Sequence, residues 1–342
     1  MKIKFSKIAA GLGLAAILFT QFMSLNSCAK TTARANAATR QMQFTYAFTV
    51  KNIPAGASQL EIWAPAPQSD DRQIIENLTV TSNYPHTFET EPEYGNSIIH
   101  VQSNGALPES LEVAMNFSVT RIGYHILQNK DKSSGQSTEA MLQRALAPDR
   151  LVPLDGKIAD ELAKVVRAGM TPLEKARTIY DHVVETMTYD KSGTGWGRGD
   201  AIYACDVRKG NCTDFHSLFI GMMRASQIPA RFVIGFPVPE NVTEGTIAGY
   251  HCWAEFYLED MGWLPVDASE ASKNREKQNN LFGGLDAHRV QFTVGRDILI
   301  PSMGTAGEPL NYFIYPQVRI DGQAHTEIAR RVSFKEVANA VD

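Results

Sequence analysis

The hydrophobic pattern of the chain changes period near residue 130. Before that point apolar and polar residues alternate, as at Phe44, Tyr46, Phe48 and Val50, and alternation of this kind predicts β-strands. Further runs, separated by Pro, Gly and Asn residues, lie at 60–62, 78–81, 97–101 and 111–122. Several short strands at this spacing predict a small antiparallel β-sandwich, which we place at residues 42–130.

After residue 130 the apolar positions recur at helical spacing. The segment Thr171-Pro172-Leu173-Glu174 combines an N-cap, a proline at the first helical position and a capping-box glutamate, which predicts a helix start. Another helix is predicted to begin at Cys212, with Asn211 as its N-cap. Its predicted buried face consists of Phe215, Leu218, Phe219, Met222 and Met223.

Strand-like segments follow these helices. They lie at 232–237, 250–257, 262–267, 289–294, 312–320 and 328–334. The pair Asp321-Gly322 predicts a closing hairpin that involves the last of them. We therefore expect residues 131–342 to form a second domain of the α+β class, in which helices pack on an antiparallel sheet.

The first forty residues carry a different signal. Three lysines precede an apolar run at 8–20, which has the length of a signal-peptide core and is too short to span a membrane. The segment Leu25-Asn26-Ser27-Cys28 resembles the lipobox of bacterial lipoproteins, which makes residues 1–27 a cleaved leader and Cys28 the lipidated first residue. The segment Ala35-Asn36-Ala37 is an alternative cleavage site. Residues 28–41 lack periodicity and are expected to form a flexible tether, so we expect an exported protein, lipid-anchored in the cell envelope or otherwise secreted.

Composition narrows the class of protein. The chain has 342 residues, of which 44% are hydrophobic and 20% charged, which excludes collagen-like, coiled-coil and wholly disordered chains. The net charge is −4, so there is no excess of positive charge for a phosphate backbone, and we expect no nucleic-acid partner. Four cysteines are too few for a disulfide scaffold.

Three residues in separate segments favour nucleophilic catalysis. Cys212 is expected in the first turn of a helix, where unpaired N–H groups and the macrodipole stabilise a thiolate and a neighbouring oxyanion. A hairpin in which His251 lies opposite Asp267 would place both side chains on one face. The three residues could then act as nucleophile, base and orienting carboxylate. Taken alone, the position of Cys212 also fits a buried structural thiol.

Other interpretations of the cysteines differ in their support. A zinc site made of Cys205, Cys212, His251 and Cys252 is disfavoured, because the spacing matches no C-x-x-C pattern and adjacent strand residues point to opposite faces. We expect no metal ion and no cofactor. A disulfide between Cys205 and Cys252 stays open, since the sequence gives no geometry to test it.

Four motifs carry a family resemblance. The segments G-N-C-T-D-F-H, I-P-A-R-F, H-C-W-A-E-F and G-W-L-P-V-D resemble the core motifs of the transglutaminase-like superfamily, specifically of its bacterial exported members. The resemblance is specific from Leu173 to Asp267 and looser as far as Arg296. It implies a papain-like core preceded by the sandwich, with Cys212, His251 and Asp267 as the catalytic triad.

The resemblance leaves the reaction open. Attack of the thiolate on an amide gives a thioester, which water resolves in a peptidase or amidase and a lysine amine resolves in a cross-linking transglutaminase. The short chain, the single sandwich and the lack of an EF-hand-like run of carboxylates favour hydrolysis of peptides or proteins. A non-catalytic, peptide-binding envelope protein is a further alternative, since some family members lack activity.

Supporting roles are assigned to four more residues. Trp196 is a candidate oxyanion donor through its indole N–H, as a tryptophan is in transglutaminases, or else a packing residue. His216, one turn after Cys212, is expected to serve in packing or to line the cleft wall rather than to replace His251. Asp214 and Glu255 are interpreted as capping or solvated residues.

Overall fold

The computed structural model describes residues 39–129, 137–304 and 308–337. The predicted leader at 1–27, the candidate lipidation residue Cys28 and the tether as far as residue 38 lie outside the described residues. The first strand begins at Thr39 and therefore includes the last three residues of the predicted tether, 39–41. The difference arises because Thr39 already pairs with Ile122 of a neighbouring strand.

The described residues form strands at both ends of the chain and helices between them. The strands are β1 (Thr39–Val50), β2 (Gln59–Ala66), β3 (Gln73–Thr81), β4 (His86–Thr90), β5 (Ser97–Asn104), β6 (Leu111–Ile122), β7 (Tyr124–His125), β8 (Thr188–Tyr189), β9 (Lys209–Gly210), β10 (Ala230–Pro237), β11 (Glu244–Thr246), β12 (His251–Leu258), β13 (Gly262–Val266), β14 (Gly284–Leu285), β15 (Arg289–Val294), β16 (Gln317–Ile320), β17 (Gln323–Ala324) and β18 (Ile328–Glu336). The helices are α1 (Ile126–Asn129), α2 (Glu139–Arg144), α3 (Lys157–Val165), α4 (Pro172–Thr186), α5 (Ala201–Val207), α6 (Cys212–Ala225) and α7 (Ala268–Lys273), with 3₁₀ turns at Arg275–Lys277 and Pro301–Met303.

Two five-stranded antiparallel sheets form the β-sandwich. Their strand orders are β11-β18-β1-β6-β3 and β17-β16-β2-β5-β4. The alternating pattern of β1 buries Phe44, Tyr46 and Phe48, as predicted for strands with one face in a core. The rings of Phe44 and Phe117, on the paired strands β1 and β6, have centroids 5.2 Å apart.

The C-terminal strands complete this sandwich, which differs from the predicted division at residue 130. Strand β18 lies beside β1 and places Phe334 opposite Phe44, while β16 lies beside β2 and places Val318 opposite Ile62. Described strands after residue 130 therefore contribute to the sandwich as well as to the α+β core. The turn at 321–322 joins β16 to the short strand β17, which leaves β18 free to pair with β1.

Replacing Phe334 with alanine tests whether the last strand belongs to the core. Phe334 is buried, and the guanidinium of Arg40 lies 5.5 Å from its ring centroid. We expect Phe334→Ala to lower the free energy of unfolding by about 3–5 kcal/mol, measured by urea denaturation. The exposed neighbour Arg331 is the control, with an expected change below about 0.5 kcal/mol for Arg331→Ala. Equal stability of the two variants would contradict a shared core.

A second sheet and its helices form the α+β core. The strand order is β13-β12-β10-β15, and all pairings are antiparallel. Helix α6 packs on this sheet through the apolar face predicted from the sequence, and Phe219 of the helix meets Phe256 of β12 at 6.4 Å between ring centroids. The predicted capping box at Thr171 and Glu174 is present at the start of α4. The α+β fold class is confirmed.

Candidate active site

Cys212 is the first residue of helix α6. The Asn211 side chain accepts the N–H of Thr213 at 2.9 Å, and the Asp214 carboxylate accepts the N–H of Asn211 at 2.9 Å, which forms a capping box. A Cβ atom on Gly210 would lie 2.3 Å from the Asp214 carboxylate, so glycine is required there for the carboxylate to approach. The cap satisfies the N–H groups of Asn211 and Thr213. The N–H of Cys212 lies between them, next to the Cys212 sulfur, and as the first N–H of the helix it has no acceptor within the helix.

A glycine-rich loop at residues 193–199, which precedes α5, is held in place by two side chains. The Asp214 carboxylate accepts the N–H groups of Gly197 at 2.7 Å and Gly199 at 3.0 Å. The buried Arg296 donates to the carbonyl of Gly199 at 2.7 Å and to the Ser217 hydroxyl at 2.6 Å. Gly199 has φ +64°, and a Cβ atom there would lie 2.8 Å from that hydroxyl. Asp214 is thus a capping residue, as one of the two sequence interpretations has it, and it is also a buried anchor of the loop rather than a solvated residue.

The hairpin of β12 and β13 sets the position of the histidine. The observed register places Ala254 opposite Val266, which differs by two residues from the predicted pairing of His251 with Asp267. A shift of two residues keeps both side chains on the same face, because strand side chains alternate with period two. Asp267 itself lies beyond the strand, as the N-cap of α7.

The Asp267 carboxylate is buried and fully hydrogen-bonded. Oδ2 accepts from His251 Nε2 at 2.7 Å and from Arg289 Nη1 at 2.8 Å. Oδ1 accepts from the Ser269 hydroxyl and from the Glu270 N–H, both at 3.0 Å. Burial acts to raise the pKa of Asp267, but the charges of His251 and Arg289 outweigh it and hold the pKa well below its ordinary range. The carboxylate is therefore ionised and rigidly oriented.

Arg289 is a site residue that the sequence patterns do not single out. It is the first residue of β15 and is buried between Asp267 and Asp286, whose carboxylate lies 3.3 Å from its Nη2. The available signal is a charged residue at the start of a strand whose other residues are uncharged and largely buried. This observation alone does not identify a partner that lies twenty-two positions earlier in the chain.

The histidine connects this carboxylate to Cys212. With Nε2 donating to Asp267, the other ring nitrogen of His251 is left for Cys212. Burial disfavours the charged ring, yet Asp267 and Cys212 together raise the pKa of His251 to about 10. A hydrogen bond from the Cys252 thiol and the charge of His251 hold the pKa of Cys212 well below its ordinary range, against the effect of burial. The site therefore favours a thiolate–imidazolium pair.

Behind this pair lies a layer of buried groups. His216 Nε2 accepts the N–H of Ala268 at 3.1 Å, and its Nδ1 lies 3.7 Å from Cys252 Sγ. Burial lowers the pKa of His216, so this imidazole is neutral, and it packs behind Cys212 through its contacts with Ala268 and Cys252. Cys205 lies elsewhere, with its sulfur 3.9 Å from Glu161 Oε2, and the cysteines of the described residues are free. The structure therefore excludes the Cys205–Cys252 disulfide for this state.

Two further predicted residues differ in their surroundings. The indole N–H of the half-buried Trp196 donates to the carbonyl of Gly193 at 3.1 Å, so this donor is engaged within its own loop. Its role as an oxyanion donor stays a prediction. Glu255 is buried and paired with Arg231 at 2.6 Å, so the interpretation as a solvated residue is wrong. The pairing arises because the two residues are cross-strand neighbours on β12 and β10.

A polar pocket of about 190 Å³ opens beside His251. Its ionisable lining includes Glu240, Glu270, Lys277, Asp286, His288 and Arg289. An ion pair of 2.5 Å between Lys277 and Glu240 joins the loop after β10 to the 3₁₀ turn after α7 at this pocket. The pocket gives a polar reactant a route to the histidine.

Together these features define the class of protein. The α+β fold places a buried cysteine at a helix start beside a histidine–carboxylate pair, which is the arrangement of a cysteine-type catalytic fold. Residues 160–268, which contain Cys212, His251 and Asp267, match the model of the transglutaminase-like superfamily. This part of the chain is thus a transglutaminase-like domain, and the resemblance of the four motifs is confirmed.

Individual proteins are similar to this chain in sequence or in fold. The chain is 29% identical over 309 residues to an uncharacterised protein of Haemophilus influenzae, covering 79% of this chain and 83% of the relative. It is 24% identical over 115 residues to the uncharacterised protein YebA of Bacillus subtilis, covering 30% of this chain and 16% of that protein. A crystal structure of a candidate cysteine protease from Cytophaga hutchinsonii has the same fold, with a TM-score of 0.56 at 18% identity, covering 90% of this chain and 93% of the other.

Proposed function

We propose that this protein is an exported cysteine hydrolase that cleaves amide bonds in peptides or proteins. The observation that carries the proposal is the hydrogen bond from His251 to the ionised Asp267, with Cys212 beside this pair at the start of a buried helix. Cys212 is the nucleophile, His251 the general acid and base, and Asp267 holds the imidazole in its orientation. Arg289 fixes the carboxylate in turn.

The first half of the reaction forms a thioester. The Cys212 thiolate attacks the carbonyl carbon of the amide, and the negative charge moves to the carbonyl oxygen. The free N–H at the helix start stabilises this oxyanion together with the macrodipole. When the intermediate collapses, the C–N bond breaks and the protonated His251 gives its proton to the leaving amine. The products of this half are the free amine and the acyl group on Cys212.

The second half returns the enzyme to its starting state. His251, now neutral, takes a proton from a water molecule, whose oxygen attacks the thioester carbon. Collapse releases the carboxylic acid and restores the thiolate and the imidazolium. The polar pocket beside His251 has room for several water molecules, since each occupies about 30 Å³ in the liquid. This supply of water supports hydrolysis over transfer.

Transfer of the acyl group to an amine is the second candidate function. Three carboxylates, Glu240, Glu270 and Asp286, line the pocket beside His251 and would attract a cationic amine. In this case the amine nitrogen replaces water in the second half and an isopeptide bond forms. A third alternative is a peptide-binding protein without turnover.

A product analysis separates these functions. The full-length protein is incubated with a peptide library in heavy-oxygen water, with and without a dansylated primary amine, and the products are identified by mass spectrometry. Hydrolysis incorporates heavy oxygen at a new carboxyl terminus, whereas transfer adds the amine to a glutamine side chain. Cys212→Ala is the control and should give neither product. Absence of both products with the native protein, across the library, would contradict an enzymatic role.

We further propose that the protein is exported and held at the membrane by a lipid on Cys28. This proposal rests on the leader at 1–27 and its lipobox. In the ranges that the structure describes, the helices are too short or too polar to cross a bilayer.

Replacing Cys28 with serine tests this anchor. We expect Cys28→Ser to abolish incorporation of a labelled fatty acid and to move the protein from the membrane fraction to the soluble fraction, because one thiol carries the lipid. Ala37→Asp, which blocks the alternative cleavage site, should leave anchoring unchanged. Retention of Cys28→Ser in the membrane would instead make the apolar run at 8–20 the anchor.

A further inference from the structure

A second thiol lies against the proposed nucleophile. Cys252, the second residue of β12, is fully buried. Its sulfur lies 3.7 Å from Nδ1 of His216, which is one helical turn after Cys212 on the same side of α6. This contact places Cys252 beneath the first turn of the helix, and the interaction of its thiol with that of Cys212 lowers the pKa of Cys212. The proposed reaction uses Cys252 in no covalent step.

We propose that Cys212 and Cys252 form a redox pair, in which a hydroperoxide converts the two thiols to a disulfide and reversibly blocks the nucleophile. The inference rests on the proposed function only in requiring a thiolate at Cys212. Disulfide formation needs two sulfurs that can approach to about 2 Å and Cα atoms within about 7 Å. The position of Cys252 beneath the first turn of α6, where Cys212 begins the helix, favours this approach.

The oxidation has two steps that balance. The Cys212 thiolate attacks one oxygen of the hydroperoxide, the O–O bond breaks, and Cys212 becomes a sulfenic acid while an alcohol or water leaves. The protonated His251 supplies the proton for the leaving oxygen. The Cys252 sulfur then attacks the sulfenic sulfur, loses its proton, and releases the sulfenic oxygen as water. In sum two thiols lose two electrons, and the peroxide gains them.

The surroundings favour this pairing over other fates of Cys212. Both thiols are buried, but Cys212 carries the thiolate and lies beside His251, which lines the polar pocket, so we expect the oxidant to attack Cys212 first. Cys205 is held apart, against Glu161 and Arg208. Without a neighbouring thiol, a sulfenic acid proceeds to irreversible sulfinic and sulfonic acids. Cys252 therefore protects the nucleophile while it switches the site off.

Mass spectrometry of the full-length protein tests the pair. A Cys28→Ser background leaves Cys205, Cys212 and Cys252 as the thiols of the chain. After treatment with stoichiometric hydrogen peroxide we expect a mass lower by about 2 Da and a peptide that joins Cys212 to Cys252, both reversed by dithiothreitol. In Cys252→Ala we expect Cys212 to gain about 32–48 Da irreversibly. The matched control, Cys205→Ala, should still form the disulfide.

Each outcome bears on one claim. A native protein whose Cys212 gains oxygen as it does in Cys252→Ala, or a disulfide that includes Cys205, overturns the redox pair. The mass change and the cross-linked peptide are measured on the chain with native Cys252, so this result does not depend on whether a Cys252 variant folds. Alkylation of Cys212 by iodoacetamide is measured in parallel, without peroxide. Rapid alkylation without cross-linking overturns the pair alone, whereas an inert Cys212 at neutral pH overturns the proposed function.

Discussion

Replacing Asp267 with asparagine is expected to lower turnover by about 10³- to 10⁴-fold while the protein stays folded. The carboxylate has two donors on each oxygen: His251 and Arg289 on one, Ser269 and Glu270 on the other. An amide offers one oxygen and one NH₂ group, so in either orientation an N–H is turned toward donors. The substitution therefore cannot preserve all four contacts.

The expected loss comes from the proton on the imidazole. When the amide nitrogen faces His251, Nε2 must become an acceptor and the ring proton moves to the nitrogen that serves Cys212. The thiolate then loses its charged partner. When the amide oxygen faces His251, the ring keeps a bond but loses the negative charge that stabilises its protonated form. In the first arrangement the ring cannot accept the proton of Cys212, and in the second the protonated ring that serves as general acid is destabilised.

The measurement is kcat on a peptide substrate, with thermal unfolding as a parallel readout. Asparagine is nearly as good an N-cap as aspartate, so the free energy of unfolding should fall by no more than about 2 kcal/mol. Asp200→Asn is the matched control, since Asp200 caps α5 through the N–H groups of Ile202 and Tyr203 without contact to the triad. Activity of Asp267→Asn near that of this control would remove Asp267 from the mechanism.

The second large effect is expected in the pH dependence of Cys212 alkylation. A thiol with a pKa of about 8.5 reacts about 200-fold more slowly at about pH 6 than at about pH 9, because only the thiolate is nucleophilic. The pKa of Cys212 is held well below this range by the Cys252 hydrogen bond and the charge of His251. We therefore expect nearly equal rate constants at the two pH values.

The alkaline limit of turnover follows from the histidine. Because the pKa of His251 is raised to about 10, the imidazolium persists through neutral pH and is lost only as the pH rises through that value. Turnover should accordingly show a broad plateau that declines near pH 10, where the general acid loses its proton.

A control assigns the alkylation signal. The pKa values of Cys205 and Cys252 are raised, chiefly by burial, so Cys212→Ser should show negligible labelling near neutral pH. Iodoacetamide kinetics on the native chain, followed by peptide mapping, give the profile of Cys212 itself. An inflection at the value of a free cysteine would mean that no thiolate–imidazolium pair exists.

Much of the candidate site could be predicted because its determinants are local. The Asn211 cap, the position of Cys212 and the buried stripe of α6 all depend on contacts within one or two helical turns. The hairpin is likewise local, since a short turn joins its strands. The observed register lies two residues from the predicted one. Because side chains alternate with period two, an even shift still places His251 and Asp267 on one face.

Other contacts join segments that are distant in sequence. Arg289, at the start of β15, donates to Asp267, and Arg296, two residues after the end of β15, donates to the carbonyl of Gly199. Asp214 accepts the N–H of Gly197 from the glycine-rich loop earlier in the chain. Cys252 meets Cys212 across thirty-nine intervening residues. Each of these side chains has an ordinary place in its own element, so no periodicity or capping signal marks its partner.

The sequence by itself determined the α+β class, the strands and helices of the core, and which residue types could carry out acyl transfer. It did so because hydrophobic period, caps and turns are short-range effects of the backbone and its nearest side chains. The tertiary structure alone decided that β18 closes the sandwich against β1, and which buried charges and thiols surround Cys212. An alternating strand fits many neighbours equally well, and its actual partner is selected only when the whole core is packed.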